Sequence, residues 1–243
     1  MVLSVDLLPS SRREARKQDR RQAILDAARA SFLEKGYDGT SMSGLLATLG
    51  GSKATLWGYF RSKEELFAAV LDDAVAEHRA LLLACIEPGG DLVENLTRFC
   101  RRFLQKISSP ESLALWRLVA AESGRNPEVG RIFYERAPKH IEQGLTTFIG
   151  KHMEMGELRP DDPCRAARVL LSLCAGRQHR MIWGVASTDL AAIEADVATT
   201  VEVFLRAYLA DPAKLSRTDA DLSPSKIQLG WDSHNGDAQA SPI

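Results

Sequence analysis

A short segment near the amino terminus concentrates side chains that can donate hydrogen bonds to an anionic partner. These donors are Ser43, Ser52, Lys53, Thr55 and Tyr59. Hydroxyl, ammonium and phenol groups of this kind contact phosphates and base edges in proteins that recognise duplex DNA. Apolar residues are interleaved with them at helical spacing, which predicts that the donors lie on short helices with one packed face. These apolar residues are Leu45, Leu46, Leu49, Leu56 and Phe60.

Two short helices joined by a tight turn are predicted to carry these donors. Thr40 or Ser41 can cap a helix that runs to about Leu49, and Gly50-Gly51 forms the turn. Ser52 then caps a second helix that runs to about Phe60. After a longer first helix that ends at Lys35-Gly36, this arrangement matches the helix-turn-helix plan, in which the second short helix enters the major groove.

The charge distribution also indicates that the amino-terminal end of the chain contacts a polyanion. Residues 1–63 contain eleven Lys and Arg against six Asp and Glu, whereas the remainder contains twenty against twenty-six. The head is therefore basic (+5) and the rest acidic (−6), although the whole chain has a net charge of −1. The basic stretch over residues 11–21 is predicted either to strengthen DNA binding through phosphates or to be an ordinary solvated arm.

Catalytic and metal-binding patterns are missing from the sequence. The five histidines form no HExxH pair, and no GxSxG or Walker loop occurs. The four cysteines are scattered without CxxC spacing and are expected to be small core residues, so no cofactor or metal site is predicted. Glu122 or His179 in a cavity could perform acid–base chemistry, but neither has a visible partner.

The segment GYDGTSMSGLLATLGGSKATLWGYFRSKEELF, over residues 36–67, resembles the DNA-binding signature of the TetR (tetracycline-repressor-like) family. The preceding AILDAARASFLEKGY extends the resemblance upstream. It implies a homodimer whose heads dock in successive major grooves of a double-stranded operator, and a helical body that binds a small effector. The residues that would contact or lie beside DNA are Thr40, Ser43, Ser52, Lys53, Thr55, Trp57, Gly58, Tyr59 and Lys63.

Two residues depart from the usual family pattern. Gly51 stands where Val is usual, which removes a small packing interaction in the turn, and Gly58 cannot read a base with a side chain. Simpler roles also stay open for the other candidates. Capping a helix could be the whole role of Ser52 and Thr40. Lys53 and Lys63 could be ordinary solvated lysines, and Trp57 and Tyr59 could be core aromatics.

The remaining sequence predicts an all-α fold of about nine helices. We expect a flexible basic arm over 1–19, a helix-turn-helix domain over 20–65, a ligand-binding and dimerisation domain over 66–210, and a disordered tail over 211–243. Ser62-Lys63-Glu64-Glu65 is a capping box that opens the fourth helix. The helical region over 127–155 is expected to break near Pro138. Arg98, Arg101, Arg102 and Lys106 are expected on the outer face of the fifth helix.

The body is predicted to hold the effector and the dimer contact. By resemblance, the helices over about 163–184 and 189–210 pair with their mates, and the first of them is apolar on more than one face. The middle helices would surround a cavity for an apolar or aromatic effector. The candidate lining residues are Phe99, Phe103, Trp116, Val119, Glu122, Phe133, Tyr134, Phe148, Cys174 and Arg177, with His140 and His179 as further polar partners.

The sequence thus favours a ligand-responsive DNA-binding regulator, acting as a repressor, over an enzyme. The alternative is a helical small-molecule-binding protein or enzyme that has lost operator binding. Gly51 and Gly58, which depart from the usual DNA-binding pattern, are the reason for considering it. No apolar run approaches the ~20 residues that a membrane span requires. No secretory leader precedes the Arg-rich stretch, so a cytoplasmic location and no membrane partner are expected.

Overall fold

The computed structural model describes residues 9–50, 53–86, 90–186 and 189–211. Within these ranges the chain is all-α, as predicted, and the only extended pairing is an isolated bridge between Leu158 and Leu209. Most of the predicted tail (211–243) lies outside the described residues. The helices are α1 (Pro9–Gly39), α2 (Met42–Leu49), α3 (Lys53–Tyr59), α4 (Lys63–Leu83), α5 (Leu92–Ile107), α6 (Pro110–Ser123), α7 (Pro127–Arg136), α8 (Pro138–Glu154), α9 (Pro163–Ile182) and α10 (Leu190–Tyr208), and a 3-10 helix covers Ala84–Ile86.

The first helix begins earlier than expected. α1 starts at Pro9, so residues 9–19 of the predicted flexible arm are helical. Arg, Lys, Gln, Glu and Ala have good helix propensity, and no Gly or Pro interrupts the chain between Pro9 and Lys35. The regular path breaks at Gly36, where φ is +77°, a value that glycine adopts without steric cost. The basic stretch is therefore continuous with the helix that supports the head.

Local signals for helix ends are confirmed at several positions. Ser41, rather than Thr40, caps α2 by accepting a hydrogen bond from the Gly44 N–H at 3.0 Å. Ser62 accepts from the Glu65 N–H at 3.1 Å and so caps α4 as predicted. The expected break near Pro138 separates α7 from α8, because proline lacks the N–H that would continue the helix.

The head has its own apolar core, and that core extends beyond residue 65. Phe32, Tyr37 and Phe67 form a cluster of rings with centroids 5.1–5.7 Å apart. The same core includes residues from α6 and α7, namely Leu118, Val119, Val129 and Ile132. Two helices of the predicted body therefore complete the packing of the head.

A second core fills the body between α5, α8, α9 and α10. Its members include Leu96, Phe99, Leu145, Leu170 and Phe204, all fully buried. The large apolar area removed from water here is the main stabilising contribution to the body. Among the described residues, no helix is long and apolar enough to cross a membrane.

Candidate nucleic-acid interface and ligand cavity

Helix α3 has a buried face and an outward face. Leu56 is buried, as is Phe60, which directly follows the helix, and both belong to the head core. Thr55, Trp57 and Gly58 face outward, and 42% of the Trp57 surface is exposed. Apart from its chain neighbours and the backbone of its own helix, no atom of the described residues lies within 4 Å of the position that a Cβ on Gly58 would occupy. The helix thus presents a clear surface of the size and shape that enters a major groove.

The basic end of α1 braces the turn between α2 and α3. Arg20 donates to the Gly50 carbonyl at 2.6 Å, and the Tyr59 hydroxyl donates to the Lys17 carbonyl at 3.3 Å. The Arg21 guanidinium lies 5.5 Å from the centre of the Phe60 ring. The sequence reasoning missed Arg20 as a positioning residue. Its place in the basic stretch, just before the apolar repeat of α1, is the available signal.

Some predicted DNA-contacting residues are engaged within the head. Thr40 is 2% exposed, and its hydroxyl donates to the Gly36 carbonyl at 2.9 Å, which turns it away from the surface. The Lys63 ammonium donates to the Tyr37 backbone carbonyl at 3.0 Å and lies 4.2 Å from the centre of the Tyr37 ring. Ser43 is exposed on α2, as expected for a phosphate contact. Ser52 and the side chain of Lys53 lie outside the described residues.

Tyr37 has an unusual electrostatic environment next to Lys63. Its side chain is buried, and its hydroxyl donates to Glu64 at 3.1 Å. Burial raises the pKa of the Tyr37 phenol well above its ordinary value of 10.0, and the nearby Glu64 carboxylate raises it further. The pKa of Glu64 is lowered, chiefly because its carboxylate accepts a backbone hydrogen bond at the start of α4. Tyr37 is therefore a neutral structural residue rather than an acid or base.

A cavity of about 260 Å³ lies between α4, α5, α6, α7, α8 and α9. Three of the predicted lining residues, Phe103, Trp116 and Phe133, are found on its wall. Leu115, Ile141 and Leu171 add aliphatic surface to it. A mostly apolar concave site with few polar groups is the usual form of a small-molecule site.

Other predicted lining residues lie elsewhere, because helical periodicity shows which side faces inward but not which neighbour it meets. Phe99, Phe148 and Cys174 are packed in the body core, and Val119 is packed in the head core. Tyr134 is 40% exposed on α7.

The two histidines expected as further polar partners also lie elsewhere. His140 lies in a separate open cleft beside α4. His179 packs against Trp116 and Trp183, with ring centroids 5.9 and 6.2 Å away.

Arg177 is also absent from the cavity wall. Its guanidinium, 3% exposed, bonds to Asp196 at 2.6 Å and to the Ser108 hydroxyl at 3.1 Å. It joins α9 to α10 and to the end of α5. The predicted polar ligand contact is thus a structural ion pair.

The sequence reasoning missed five polar residues that do line the cavity: His78, Arg79, Lys106, Ser112 and Gln178. Lys106, expected on the outer face of α5, instead lines the cavity beside Phe103 and Ile107. Lys106 follows Phe103 by three residues, and this spacing places the two side chains on the same face of α5. On α4 the residues Val75, His78, Arg79 and Leu82 share one face by the same rule.

Two helices connect the cavity with the head. α4 contributes Leu66 and Phe67 to the head core at one end and Val75 and Leu82 to the cavity farther along. α6 contributes Trp116 to the cavity, while one turn later Val119 packs into the head core. Glu122, predicted as a ligand contact, accepts a hydrogen bond from the Tyr37 backbone N–H at 3.0 Å instead. A shape change at the cavity therefore has direct mechanical routes to the head.

Comparisons with known proteins agree with this architecture. The family model described as bacterial regulatory proteins, tetR family, matches residues 24–70, and the model described as AefR-like transcriptional repressor, C-terminal domain, matches residues 94–210. The structure of the flavonoid-responsive regulator FrrA is 32% identical in sequence with a TM-score of 0.68, covering 79% of this chain and 98% of that one.

Two further relatives belong to the same class. A TetR-family transcriptional regulator from Mesorhizobium loti is 28% identical with a TM-score of 0.69, covering 80% of this chain and 98% of its own. The HTH-type transcriptional regulator YhgD of Bacillus subtilis is 27% identical over 159 residues, which are 64% of this chain and 80% of that protein. The matches span both the helix-turn-helix head and the helical body. The chain therefore belongs to the TetR family of DNA-binding transcription regulators, which are not enzymes.

Proposed function

We propose that this protein is a repressor that binds a two-fold symmetric operator as a homodimer and is released by a small apolar or aromatic effector. The observation that carries the proposal is the outward face of α3, braced by the basic helix α1 and connected through α4 and α6 to the cavity. The match of the body to an AefR-like repressor domain supports repression rather than activation. The similarity to FrrA, a flavonoid-responsive regulator, supports an aromatic effector.

In this proposal α3 enters the major groove, with Ser52, Lys53, Thr55, Trp57 and Tyr59 on or beside the DNA. Phosphate contacts come from Ser43 on α2 and from the basic residues of α1. Arg13, Arg16 and Lys17 precede Arg20 by seven, four and three residues, so helical periodicity puts them on its face of α1, the one that meets the α2–α3 turn. Lys63 can reach a phosphate only if its ammonium group gives up the hydrogen bond to the Tyr37 carbonyl.

The homodimer would form through α9 and α10. Val169 on α9 and Val203 on α10 are exposed, and the same two helices also carry small residues, among them Ser172, Gly176 and Thr199. A second copy can cover these faces in a symmetric four-helix contact, because small side chains let helices approach closely. Two heads held about 34 Å apart would then match one turn of DNA.

Release would follow from a population shift. In one state of the protein α4 and α6 hold the head so that it fits the operator, and in the other they do not. An effector that binds the second state more tightly lowers operator affinity by the difference between its binding free energies for the two states. Reciprocity requires that operator DNA weaken effector binding by the same factor. An effector that binds equally well with and without operator DNA would contradict this mechanism.

Footprinting of the DNA that flanks the gene tests operator binding. We expect protection of one symmetric segment, and we expect Trp57→Ala to weaken protection at least about tenfold, as removal of a central aromatic side chain does. Tyr134→Ala is the matched control, since Tyr134 is similarly exposed but lies on α7 in the body. A protein that binds a small molecule but protects no DNA would favour the alternative of a binding protein without operator recognition.

Sedimentation equilibrium tests the homodimer separately. We expect Val203→Glu to shift the native dimer towards monomer, because it places a charge in an apolar contact. Leu81→Glu is the control, since Leu81 on α4 is exposed to a similar degree and lies away from α9 and α10. A monomeric native protein, or a dimer that Val203→Glu leaves intact, would contradict the proposed interface.

A further inference from the structure

The walls of the cavity combine aromatic surface with an unbalanced set of charges. Trp116, Phe103 and Phe133 provide ring faces and edges. The ionisable groups on the wall, among the described residues, are His78, Arg79 and Lys106, all of them bases, and no carboxylate lines the cavity. The charged groups that a ligand meets on this wall are therefore cationic.

Lys106 is well enclosed, with 14% of its side chain exposed. Its nearest carboxylate, Glu111, is 3.8 Å away, which is too far for a hydrogen bond, and Glu111 is already bound by Arg29 at 2.8 Å. Arg79 donates to the backbone carbonyl of Arg136 at 3.4 Å, not to a carboxylate. Enclosing a charge without a well-placed partner is costly, so these cations favour an incoming anion.

The opposite side of the cavity adds a further donor. The Gln178 amide lies on α9, across from α4 and α5, and lines the same space. Its NH2 group can donate to a ligand oxygen in the same way as the ammonium group of Lys106. The volume of about 260 Å³ is slightly below the usual range of ligand pockets and suits one or two fused rings.

We propose that the cavity binds an aromatic anion, a ring system of one or two rings that carries a carboxylate or another oxyanion, with Lys106 as its main charged partner. The rings lie against Trp116, Phe103 and Phe133, and the oxyanion is directed towards Lys106. Arg79 adds to the positive potential at the same wall. This inference deepens the proposed function and rests on the cavity being the effector site.

The charge requirement can be isolated with two probes of the same shape. We compare 2-naphthoate with the uncharged 2-naphthamide by calorimetric titration of the full-length protein near neutral pH. We expect the naphthoate to bind at least about tenfold more tightly, which is the effect of one charge-assisted hydrogen bond in a partly enclosed site. Equal affinities for the two probes, or no binding of either, would overturn the proposal.

Variants at Lys106 assign the preference to this residue. Lys106→Met is expected to weaken naphthoate binding about tenfold while leaving naphthamide binding within about twofold, and Lys106→Arg is expected to retain the preference. Lys151→Met removes an equal charge from an exposed position on α8 and is expected to change neither affinity. Equal weakening of both probes by Lys106→Met, with Lys106→Arg behaving identically, would show a packing role and contradict the assignment.

Operator binding is measured on the same samples, so the two proposals can fail independently. A protein that protects operator DNA but discriminates neither probe contradicts the ligand class alone. A protein that prefers naphthoate through Lys106 but protects no DNA contradicts the regulatory role and leaves the ligand class standing.

Discussion

Glu122 Oε1 lies 3.0 Å from the backbone nitrogen of Tyr37, and this hydrogen bond ties α6 to the end of α1. The same oxygen would lie 2.8 Å from a Cβ added at Gly36. Glycine at position 36 therefore serves two purposes: it allows the positive φ that ends the regular helix, and it leaves room for the carboxylate. The hydrogen bond joins body to head less than two helical turns beyond Trp116, which lines the cavity.

Gly36→Ala should destabilise the protein by about 1–3 kcal/mol, because alanine is strained at φ +77° and its methyl group displaces Glu122. Gly58→Ala is the matched control. Its Cβ meets nothing within 4 Å and lies in a helix, so we expect a gain of up to about 1 kcal/mol. Urea denaturation measures both variants, and a reduced stability of similar size in each would contradict this account.

Replacement of Glu122 separates its hydrogen bond from its charge. Glu122 Oε2 is buried and has no hydrogen-bond partner among the described residues, so Glu122→Gln should leave the free energy of unfolding unchanged or raise it. Glu122→Ala leaves the Tyr37 N–H without an acceptor and should lower it by about 1–3 kcal/mol. Thermal or urea unfolding distinguishes the two. An unfolding free energy that falls more for Gln than for Ala would show that the charge, and not the acceptor, matters.

Asp196→Ala should lower the free energy of unfolding by about 2–3 kcal/mol, because it removes the carboxylate that bonds to the buried Arg177 guanidinium at 2.6 Å. Asp72→Ala is the control, since it breaks the more exposed pair with Arg136 at 3.0 Å and should cost less than about 1 kcal/mol. Urea denaturation of both variants provides the measurement. Equal effects would mean that burial of Arg177 does not determine the strength of its pair.

Stability should decline in alkali partly through Tyr37. Its pKa is raised in the folded protein, so its contribution is complete below the unfolded value of 10.0 and is lost as the pH rises towards the folded value. Tyr37→Phe removes this titration, and its unfolding free energy should fall less steeply above pH 10.0. An identical slope in the native protein and in Tyr37→Phe would exclude Tyr37 as a source of alkaline sensitivity.

The basic face of α1 predicts a salt effect on operator binding. If Arg16 neutralises one phosphate, Arg16→Gln should make the plot of log affinity against log salt concentration shallower by about 0.9. Arg125→Gln, in the exposed connection between α6 and α7, removes the same charge away from the head and should leave the slope unchanged. Fluorescence anisotropy with operator DNA at several salt concentrations measures the slope, and no change for Arg16→Gln would place α1 away from the phosphates.

Local features of the fold were predictable from the sequence, and long-range contacts were not. The Ser62 cap, the stop at Gly36 and the break at Pro138 depend on neighbouring residues, so short patterns reveal them. The flexible arm expected over 1–19 is instead helical from Pro9, because the helix propensity of residues 9–19 outweighs the tendency of their charged side chains to favour a solvated arm.

The candidate cavity shows the corresponding limit for the site. Phe103 and Phe99 lie on the same apolar stripe of α5, yet the first lines the cavity and the second is enclosed in the body core. A four-residue shift along one helix changes the neighbouring helix that a side chain meets. Glu122 and Tyr37, 85 positions apart, illustrate the same difficulty, since only the packing of α6 on α1 brings them together.

The open space around Gly58 has an evolutionary consequence. A side chain placed there would project from α3 without disturbing the core, so its cost in folding is small. Where α3 enters the major groove as proposed, that side chain would meet the base edges. Arginine, serine and aspartate codons each differ from a glycine codon by a single nucleotide. In the proposed complex with operator DNA, a point mutation that the scaffold tolerates would therefore change base recognition.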